Sequence, residues 1–291
     1  MRKEFDIQEV KSFYDSVGWQ ITEDGVYQNA RYEDLRPVSR EYIHKCHLRI
    51  NRHISHNGKY LLDAGSGPIQ YPEYLTYSQG YSYRVCLDLS YVALVDARQR
   101  IGSHGLFVVA DVANMPFADA SFEDVVSLHT FHHLPLEGRK KAYAEVFRML
   151  KREAHAVIVN GWNYSPLMDQ ARILMRIGNH FFNSPKDSIS PEQKPSGSNL
   201  TETKDTKTSK PKGTFVEKFD AETFKKEILP QYNSEIFVWR SVSVRFLRTV
   251  IHRGWGGKIF LRILYRLEEW FPHYFGEKGQ YPLIIIEKKD K

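Results

Sequence analysis

Three aspartates and two glycines are the residues of this 291-residue chain whose types and spacing could bind a ligand. Asp63 stands two positions before Gly65, and Gly67 follows after one further residue. Glycines spaced in this way allow a sharp turn and a close backbone approach to a ligand that any Cβ atom would exclude. Asp88 and Asp111 each end a later apolar run. A glycine turn between a strand and a helix, with carboxylates nearby, is where open α/β sheets place nucleotides.

The details of the turn favour one kind of nucleotide over others. A dinucleotide fingerprint needs a third glycine where Gln70 stands, and a P-loop needs a Gly-Lys-Ser/Thr sequence that the turn lacks. A carboxylate two positions before the first glycine suits a cationic ligand better than a pyrophosphate. On these residues alone, an ordinary strand-to-helix connection remains the alternative interpretation.

The elements around the turn must bring the three carboxylates together. From Lys59 onward, apolar runs with little alternation are separated by helical stretches, which is typical of a parallel sheet covered on both faces. Right-handed crossovers then place the carboxyl ends of the strands at one edge, where Asp63, Asp88 and Asp111 would meet. The predicted strands are 60–63, 83–88, 106–111, 124–129 and 156–159.

Each carboxylate at that edge has a specific chemical use. A carboxylate at the end of the second strand, Asp88, can accept hydrogen bonds from two ribose hydroxyls. One at the end of the third strand, Asp111, can accept from the exocyclic amine of adenine. Three unpaired carboxylates at one edge repel each other unless a ligand or cation uses them. The residues therefore predict a cationic ligand that contains adenosine.

The order and spacing of four sequence blocks resemble the class I S-adenosyl-L-methionine-dependent methyltransferases, in the small-molecule branch that resembles ubiquinone/menaquinone C-methyltransferases. The resemblance covers about a third of the chain and implies a Rossmann-like α/β sheet of seven strands. That sheet is mostly parallel with an antiparallel last strand, has helices on both faces, and takes its sixth and seventh strands from 235–239 and 283–287. The blocks are 62–67, 86–90, 110–117, and 121–129 with 131–134.

The resemblance also implies the cofactor and the residues that hold it. S-adenosyl-L-methionine would be the methyl donor and S-adenosyl-L-homocysteine the product. Asp63 and the backbone of 65–67 would hold the methionine moiety, Asp88 the ribose, and Asp111 with Val112 the adenine, while His129 would face the methyl group. The predicted cofactor-binding set is Tyr14, Asp63, Ala64, Gly65, Ser66, Gly67, Asp88, Leu89, Asp111, Val112 and His129.

Tyr14 belongs to this set because an aromatic ring near a sulfonium gains cation–π attraction, with core packing as the alternative. Methyl transfer is an in-line displacement, so positioning of the acceptor about 3 Å from the donor supplies much of the catalysis. A general base is needed only if the acceptor must lose a proton. His129, His132 and His133 are the titratable candidates, and we expect the adjacent His132 and His133 to face different ways. The sequence assigns no catalytic residue and predicts no metal site.

The chain divides into a predicted helical N-terminal cap, 1–58, and a methyltransferase domain, 59–291. The cap contains predicted helices at 4–17 and 39–56, and we expect the Arg- and His-rich side of the second helix to be solvated. Within the domain, 161–218 is a predicted insertion that is partly disordered, because 183–213 has too few aliphatic residues to bury.

A second predicted insertion, 241–282, is helical and lies between the last two strands. Its stretch 258–271 places apolar residues along one side of a helix, with two interpretations. The helix packs on the core or the cap, or it is a basic amphipathic helix that docks on a membrane or a lipid-like substrate. The apolar residues are Ile259, Phe260, Ile263, Leu264, Leu267, Trp270 and Phe271.

The composition is that of a folded globular protein, with 42% hydrophobic and 26% charged residues. A net charge of +6, much of it after Arg240, is a weak indication of an anionic partner such as a membrane surface or RNA. The two cysteines, Cys46 and Cys86, cannot form a disulfide framework. No stretch approaches the roughly 20 apolar residues of a membrane span. These features, with an N-terminus that lacks an apolar signal core, predict a cytoplasmic location.

Three functional hypotheses follow. The favoured one is a methyltransferase that acts on a small-molecule acceptor, with a lipophilic acceptor as one option. An RNA methyltransferase is disfavoured because Ser127-Leu128-His129-Thr130 stands where an Asn/Asp-Pro-Pro-Tyr tetrapeptide would be expected. A non-catalytic S-adenosylmethionine-binding partner protein is the third. The sequence contains no motif for the acceptor or for the oligomeric state.

Overall fold

The structure is a computed structural model that describes residues 6–23, 25–176 and 215–289. Within these residues, seven strands form one sheet. Their bounds are β1 Gly58–Ala64, β2 Tyr81–Asp88, β3 Gly105–Val109, β4 Phe122–Leu128, β5 Leu150–Val159, β6 Asn233–Arg240 and β7 Tyr281–Glu287. Across the sheet the strands lie in the order β3-β2-β1-β4-β5-β7-β6.

The sheet has the predicted mixed topology. β7 lies antiparallel between β5 and β6, and the pairs from β3 through β5 are parallel. The strands β2 and β3 are added in turn on one side of β1, and β4 then lies on the other side of β1. This reversal next to β1 is the switch point at which open α/β sheets bind ligands. The predicted fold class is confirmed.

The helices surround the sheet and keep the predicted order with some changes of length. The predicted helix at 4–17 passes from an α-helix into a π-helical turn, Tyr14–Gly18, and the predicted helix at 39–56 becomes a 3₁₀ turn, Arg49–Arg52, after Leu48. The helices are α1 Ile7–Phe13, α2 Arg40–Leu48, α3 Tyr91–Ile101, α4 Leu136–Met149, α5 Pro166–Gln170, α6 Ala221–Glu227, α7 Val244–Val250, α8 Gly257–Trp270 and α9 Pro272–Lys278.

Both faces of the sheet are buried, which explains why the strands show little alternation. Leu62 and Leu87 face the side covered by α4, where Tyr143 is fully buried. Leu61 and Cys86 face the opposite side, which α3 covers through Leu94 and Ala97. Ser90 is the N-cap of α3, because its hydroxyl accepts a hydrogen bond from the Ala93 amide.

The N-terminal helices pack against the segment between β6 and β7. Tyr42, Ile43 and Cys46 of α2 share a buried cluster with Phe246 of α7 and Leu261 of α8. The expectation that the Arg- and His-rich side of α2 is solvated holds for Arg40 and His44 but is wrong for His47 and for Arg49 just after the helix, because β6 and α8 cover these two. His47 and Arg49 are 1% and 3% exposed. The division into a cap and a domain stays a prediction.

Two further predictions concern the disordered stretch and the absence of membrane spans. The predicted disordered stretch 183–213 lies outside the described residues. In the part of the chain that the structure describes, no helix is long and apolar enough to cross a bilayer.

Candidate active site

The turn after β1 requires its two glycines. Gly65 and Gly67 have φ angles of 76° and 54°, in the left-handed region that favours glycine. A Cβ atom on Gly65 would lie 2.2 Å from Thr130 Oγ1, and one on Gly67 would lie 2.9 Å from the Trp19 ring. The backbone of this turn therefore lies closely packed beneath a side chain from the N-terminal segment.

Asp88 ends β2 and ties the turn to the start of α3. Its Oδ2 accepts a hydrogen bond of 2.8 Å from the Gly67 amide, and its Oδ1 accepts one of 2.8 Å from the Ser90 amide. Burial raises the pKa of Asp88 to about 6, although both amides act in the opposite direction. The carboxylate has no cationic partner among the described residues, so it is available to a ligand.

Asp63 lies at the end of β1 but is already paired. Its Oδ2 accepts hydrogen bonds from Nε and Nη2 of Arg84, which is also buried. Burial raises the pKa of Asp63, while Arg84 acts to lower it. The expectation of three unpaired carboxylates is therefore wrong for Asp63. Arg84 was the available signal, because an arginine within a buried apolar strand requires a carboxylate partner.

Asp111 and Val112 lie in the loop after β3, separated from its last residue, Val109, by Ala110. Asp111 Oδ1 accepts a hydrogen bond of 2.9 Å from the Ala113 amide, which fixes the loop. Asp111 has no ion-pair partner among residues 6–23, 25–176 and 215–289. Both residues line the same cavity as the glycine turn.

That cavity, of about 370 Å³, contains ten of the eleven predicted cofactor-binding residues in its wall. The exception is Ala64, whose side chain is buried in the core and whose carbonyl accepts a 2.7 Å hydrogen bond from Ser127 Oγ. The ten lining residues are Tyr14, Asp63, Gly65, Ser66, Gly67, Asp88, Leu89, Asp111, Val112 and His129.

Tyr14 connects the N-terminal segment to the histidine cluster. Its ring stacks on Trp19 with 5.1 Å between centroids, and its hydroxyl lies 2.7 Å from His133 Nε2. His133 Nδ1 lies 2.8 Å from the carbonyl of Phe215, which can only accept. His133 therefore donates from Nδ1 and accepts from the Tyr14 hydroxyl at Nε2. With both nitrogens engaged, His133 has no free position for a substrate proton.

His129 and His132 also line the cavity. Burial lowers the pKa of His129 to about 3, with the charge of Arg240 as the second cause. The His129 side chain makes no hydrogen bond among the described residues, and its ring packs at 5.0 Å from Trp239. His132 and His133 face the same cavity with their rings 4.2 Å apart, so the expectation that they diverge is wrong. The 3₁₀ turn that carries both forms part of the cavity wall.

The wall opposite the glycine turn consists of residues that sequence reasoning missed. His47 stacks on Trp239 with 5.2 Å between ring centroids, and Arg240 forms a buried ion pair with Glu33. Trp239 and Arg240 end β6, so the rule that carboxyl ends of parallel strands meet at one edge could have found them. Tyr71, Tyr74 and Tyr281 complete this aromatic wall.

The two parts of the cavity differ in charge. Asp88 and Asp111 lie beside the turn, whereas Lys218 and Arg245 line the wall formed by the later segments. Neither Lys218 nor Arg245 makes an ion pair among the described residues. Lys218 lies close enough to the histidines to add to the burial that lowers their pKa values. The cavity can therefore hold a cation at the turn and an acceptor with anionic or polar groups opposite it.

Comparison with known proteins identifies the central part of the chain. Residues 62–158, from β1 to the end of β5, match the family described as "Methyltransferase domain". An eEF1A lysine and N-terminal methyltransferase of Mus musculus is 28% identical over 143 residues, which are 48% of this chain and 20% of that protein. An uncharacterized protein of Haemophilus influenzae is 33% identical over 95 residues, which are 30% of this chain and 38% of that protein.

The chain thus spans only a fifth to two fifths of the length of these curated relatives. A solved structure, the [4+2]-cyclase SpnF, superimposes with a TM-score of 0.53 over 98% of this chain and 97% of its own, at 12% identity. This likeness shows a shared fold. The family match identifies residues 62–158 as a methyltransferase domain, and this segment contains the glycine turn, Asp63, Asp88 and Asp111.

Proposed function

We propose that this chain binds S-adenosylmethionine at the carboxyl edge of β1 to β3 and transfers its methyl group to a small-molecule acceptor. The observation that carries the proposal is that one cavity is lined both by the glycine turn with its carboxylates and by an aromatic wall. One end contains the glycine turn with Asp88 and Asp111, and the other is walled by Trp239 and the neutral His129. The resemblance to the ubiquinone/menaquinone branch stays a prediction.

The cofactor contacts follow from the free acceptors at the turn. Asp88 would accept from the ribose hydroxyls, and Asp111 with Val112 would hold the adenine. Asp63 would receive the methionine ammonium at Oδ1, since Arg84 contacts only Oδ2. The half-buried Tyr14 ring would cover the sulfonium. Bound S-adenosylmethionine would supply a methyl group that its sulfonium activates toward a nucleophile.

The chain would act on the acceptor mainly by position. An acceptor held at about 3 Å from the methyl carbon, in a site that excludes water, gains most of the rate from its orientation. The His129 ring is neutral at pH 7 and has no protein partner among the described residues, so it would orient a polar group of the acceptor. With a pKa of about 3 it is a poor general base.

Several features of the cavity wall support a small acceptor over a macromolecule. Tyr14, Trp19 and Tyr32 of the N-terminal segment all line the cavity at the cofactor end. A folded protein or an RNA helix would have to displace this cover to reach the methyl group. The aromatic wall opposite suits an acceptor with a ring or an apolar body.

The acceptor class can be tested with S-adenosylmethionine labelled in its methyl group and a cell extract separated by size. We expect the label in the small-molecule fraction, and only when the protein is present. Label in the protein or RNA fraction would overturn the small-molecule assignment. Label in neither fraction, with cofactor bound, would favour a non-catalytic binding protein.

A further inference from the structure

The helix α8 exposes its apolar side. Ile259, Ile263 and Trp270 are 63%, 55% and 70% exposed, and their spacing places them along one line of the helix. Phe260 on the same helix, Trp255 just before it, and Phe271 and Tyr274 after it are also exposed. The helix packs on the cap through Leu261, as the first of the two interpretations predicts, but five of the seven apolar residues of this stretch are exposed.

The orientation of α8 is fixed by a polar contact on its opposite side. Glu268 is fully buried, accepts a 2.6 Å hydrogen bond from the Tyr42 hydroxyl and a 2.9 Å hydrogen bond from the Ser241 amide, and pairs with Arg49 at 2.9 Å. Breaking such a pair would leave an uncompensated buried charge, at a cost of about 3–5 kcal/mol. The helix therefore cannot turn its apolar line inward.

Basic residues flank the apolar line. Lys258, Arg262 and Arg266 are spaced four apart, and all three are exposed. Lys258 and Arg266 form no ion pair among the described residues, while Arg262 pairs with Glu41 at 3.0 Å. Of the two acidic residues of α8, Glu268 is buried, and Glu269, which stands seven residues after Arg262, pairs with Arg49 and Arg52. The outward side of α8 is thus apolar and positively charged.

We propose that this side of α8 docks on the surface of a membrane that contains anionic phospholipids. Exposed Trp255, Trp270 and Tyr274 are of the residue types that favour the headgroup region. The apolar line would enter the acyl boundary, and the row of Lys258, Arg262 and Arg266 would meet the phosphates. The proposal is independent of methyl transfer.

Charge argues against a second copy of the chain as the occupant. A two-fold interface on this face would bring the same patch of two molecules together. Lys258 and Arg266, which form no ion pair among the described residues, would then face the same residues of the second copy. Such juxtaposition of like charges costs several kcal/mol.

The test is co-sedimentation of the full chain with vesicles of phosphatidylcholine alone and of phosphatidylcholine mixed with phosphatidylserine. We expect binding to the mixed vesicles that weakens as salt is added. Ile263→Ser should weaken vesicle binding about tenfold or more, since it removes one aliphatic side chain that the membrane would bury. Lys258→Glu with Arg266→Glu should also weaken it at least about tenfold and remove the preference for phosphatidylserine. Val92→Ser, which changes an exposed apolar residue of α3, should bind as the unmodified chain does.

Three results would overturn the proposal. One is the absence of binding to the mixed vesicles at low salt. Another is binding that Ile263→Ser leaves unchanged while the variant keeps its melting temperature. The third is a dimer in light scattering, in the absence of vesicle binding, that Ile263→Ser dissociates; this result would make the face an interface between copies.

Discussion

Asp88 is the residue on which the proposed cofactor site depends most. It contacts both the glycine turn after β1 and the start of α3 after β2. Its carboxylate uses one lone pair of each oxygen for the amides of Gly67 and Ser90. The remaining lone pairs face a cavity and can serve two ribose hydroxyls. The pKa of Asp88 is raised because burial keeps water away from the charged carboxylate while no ligand is bound.

The pKa of Asp88 predicts a pH dependence of cofactor binding. Burial raises that pKa to about 6, whereas it lowers the pKa of His129 to about 3 and of His133 to about 4. Between pH 7 and pH 5 Asp88 therefore gains a proton while these histidines stay neutral. Since a ribose contact needs the ionised carboxylate, affinity for S-adenosylmethionine should fall about tenfold over this range.

Calorimetric titration at the two pH values measures this fall. The matched variant Asp88→Asn should bind weakly at pH 7 and show little further change at pH 5. An affinity of the unmodified chain that stays constant between the two values would contradict the role given to Asp88.

The tight turn predicts an unequal effect of two glycine substitutions. In Gly65→Ala the new Cβ atom would lie 2.2 Å from Thr130 Oγ1, so we expect a loss of about 3 kcal/mol or more of unfolding free energy, together with cofactor binding. In Gly256→Ala the φ angle is similar, 68°, but no atom lies within 4 Å of the new Cβ. That variant should lose only the backbone term, about 1–2 kcal/mol. Chemical denaturation compares them, and equal losses would contradict the close packing of the turn.

At the scale of elements, α8 shows what an amphipathic pattern can and cannot predict. The period of its apolar residues correctly predicts a helix at 258–271. The pattern does not say which side packs, because that depends on Tyr42, Arg49 and Ser241 from distant parts of the chain. A buried Glu268 pairs with them, and the apolar line is left outside.

The orientation of α8 predicts opposite effects of two substitutions in the same helix. Glu268→Ala removes the partner of the buried Arg49, so it should cost about 3–5 kcal/mol of unfolding free energy. Ile263→Ser changes an exposed residue and should stay within about 0.5 kcal/mol of the unmodified chain. Urea denaturation of both variants measures the difference. A cost of several kcal/mol for Ile263→Ser would show that the apolar line is buried.

At the scale of the whole molecule, the sheet and the cofactor edge could be predicted because their signals are local. Apolar strands, a glycine pair and the aspartates that follow three strands occupy short segments, and the crossover rule places them at one edge. The pairing of Asp63 with Arg84 and the aromatic wall around Trp239 depend on contacts between separate segments, so predicting them requires knowledge of which segments meet. No short sequence pattern encodes such contacts, although the end of β6 obeys the same edge rule.

The cavity lies between the matched domain, residues 62–158, and the segments before and after it. Its cofactor end comes from the domain matched at residues 62–158, and its opposite wall comes largely from β6, α7 and the N-terminal helices. The donor site is therefore built from segments with recognisable motifs, and the acceptor site from segments without them. This division explains why the sequence predicts the donor and leaves the acceptor open.

The proposed binding of S-adenosylmethionine in this cavity depends on Asp88, the last residue of β2. Calorimetric titration of S-adenosylmethionine into the unmodified chain, Asp88→Ala and Asp119→Ala, each with an unchanged melting profile, tests it most directly. Asp119 is an exposed aspartate that pairs with Arg148 at 2.6 Å, so its loss should leave the affinity unchanged. We predict one site in the unmodified chain and an affinity at least about 30-fold weaker in Asp88→Ala, as expected for the loss of charge-assisted hydrogen bonds. Equal affinity in Asp88→Ala, or no binding by the unmodified chain, would contradict the account.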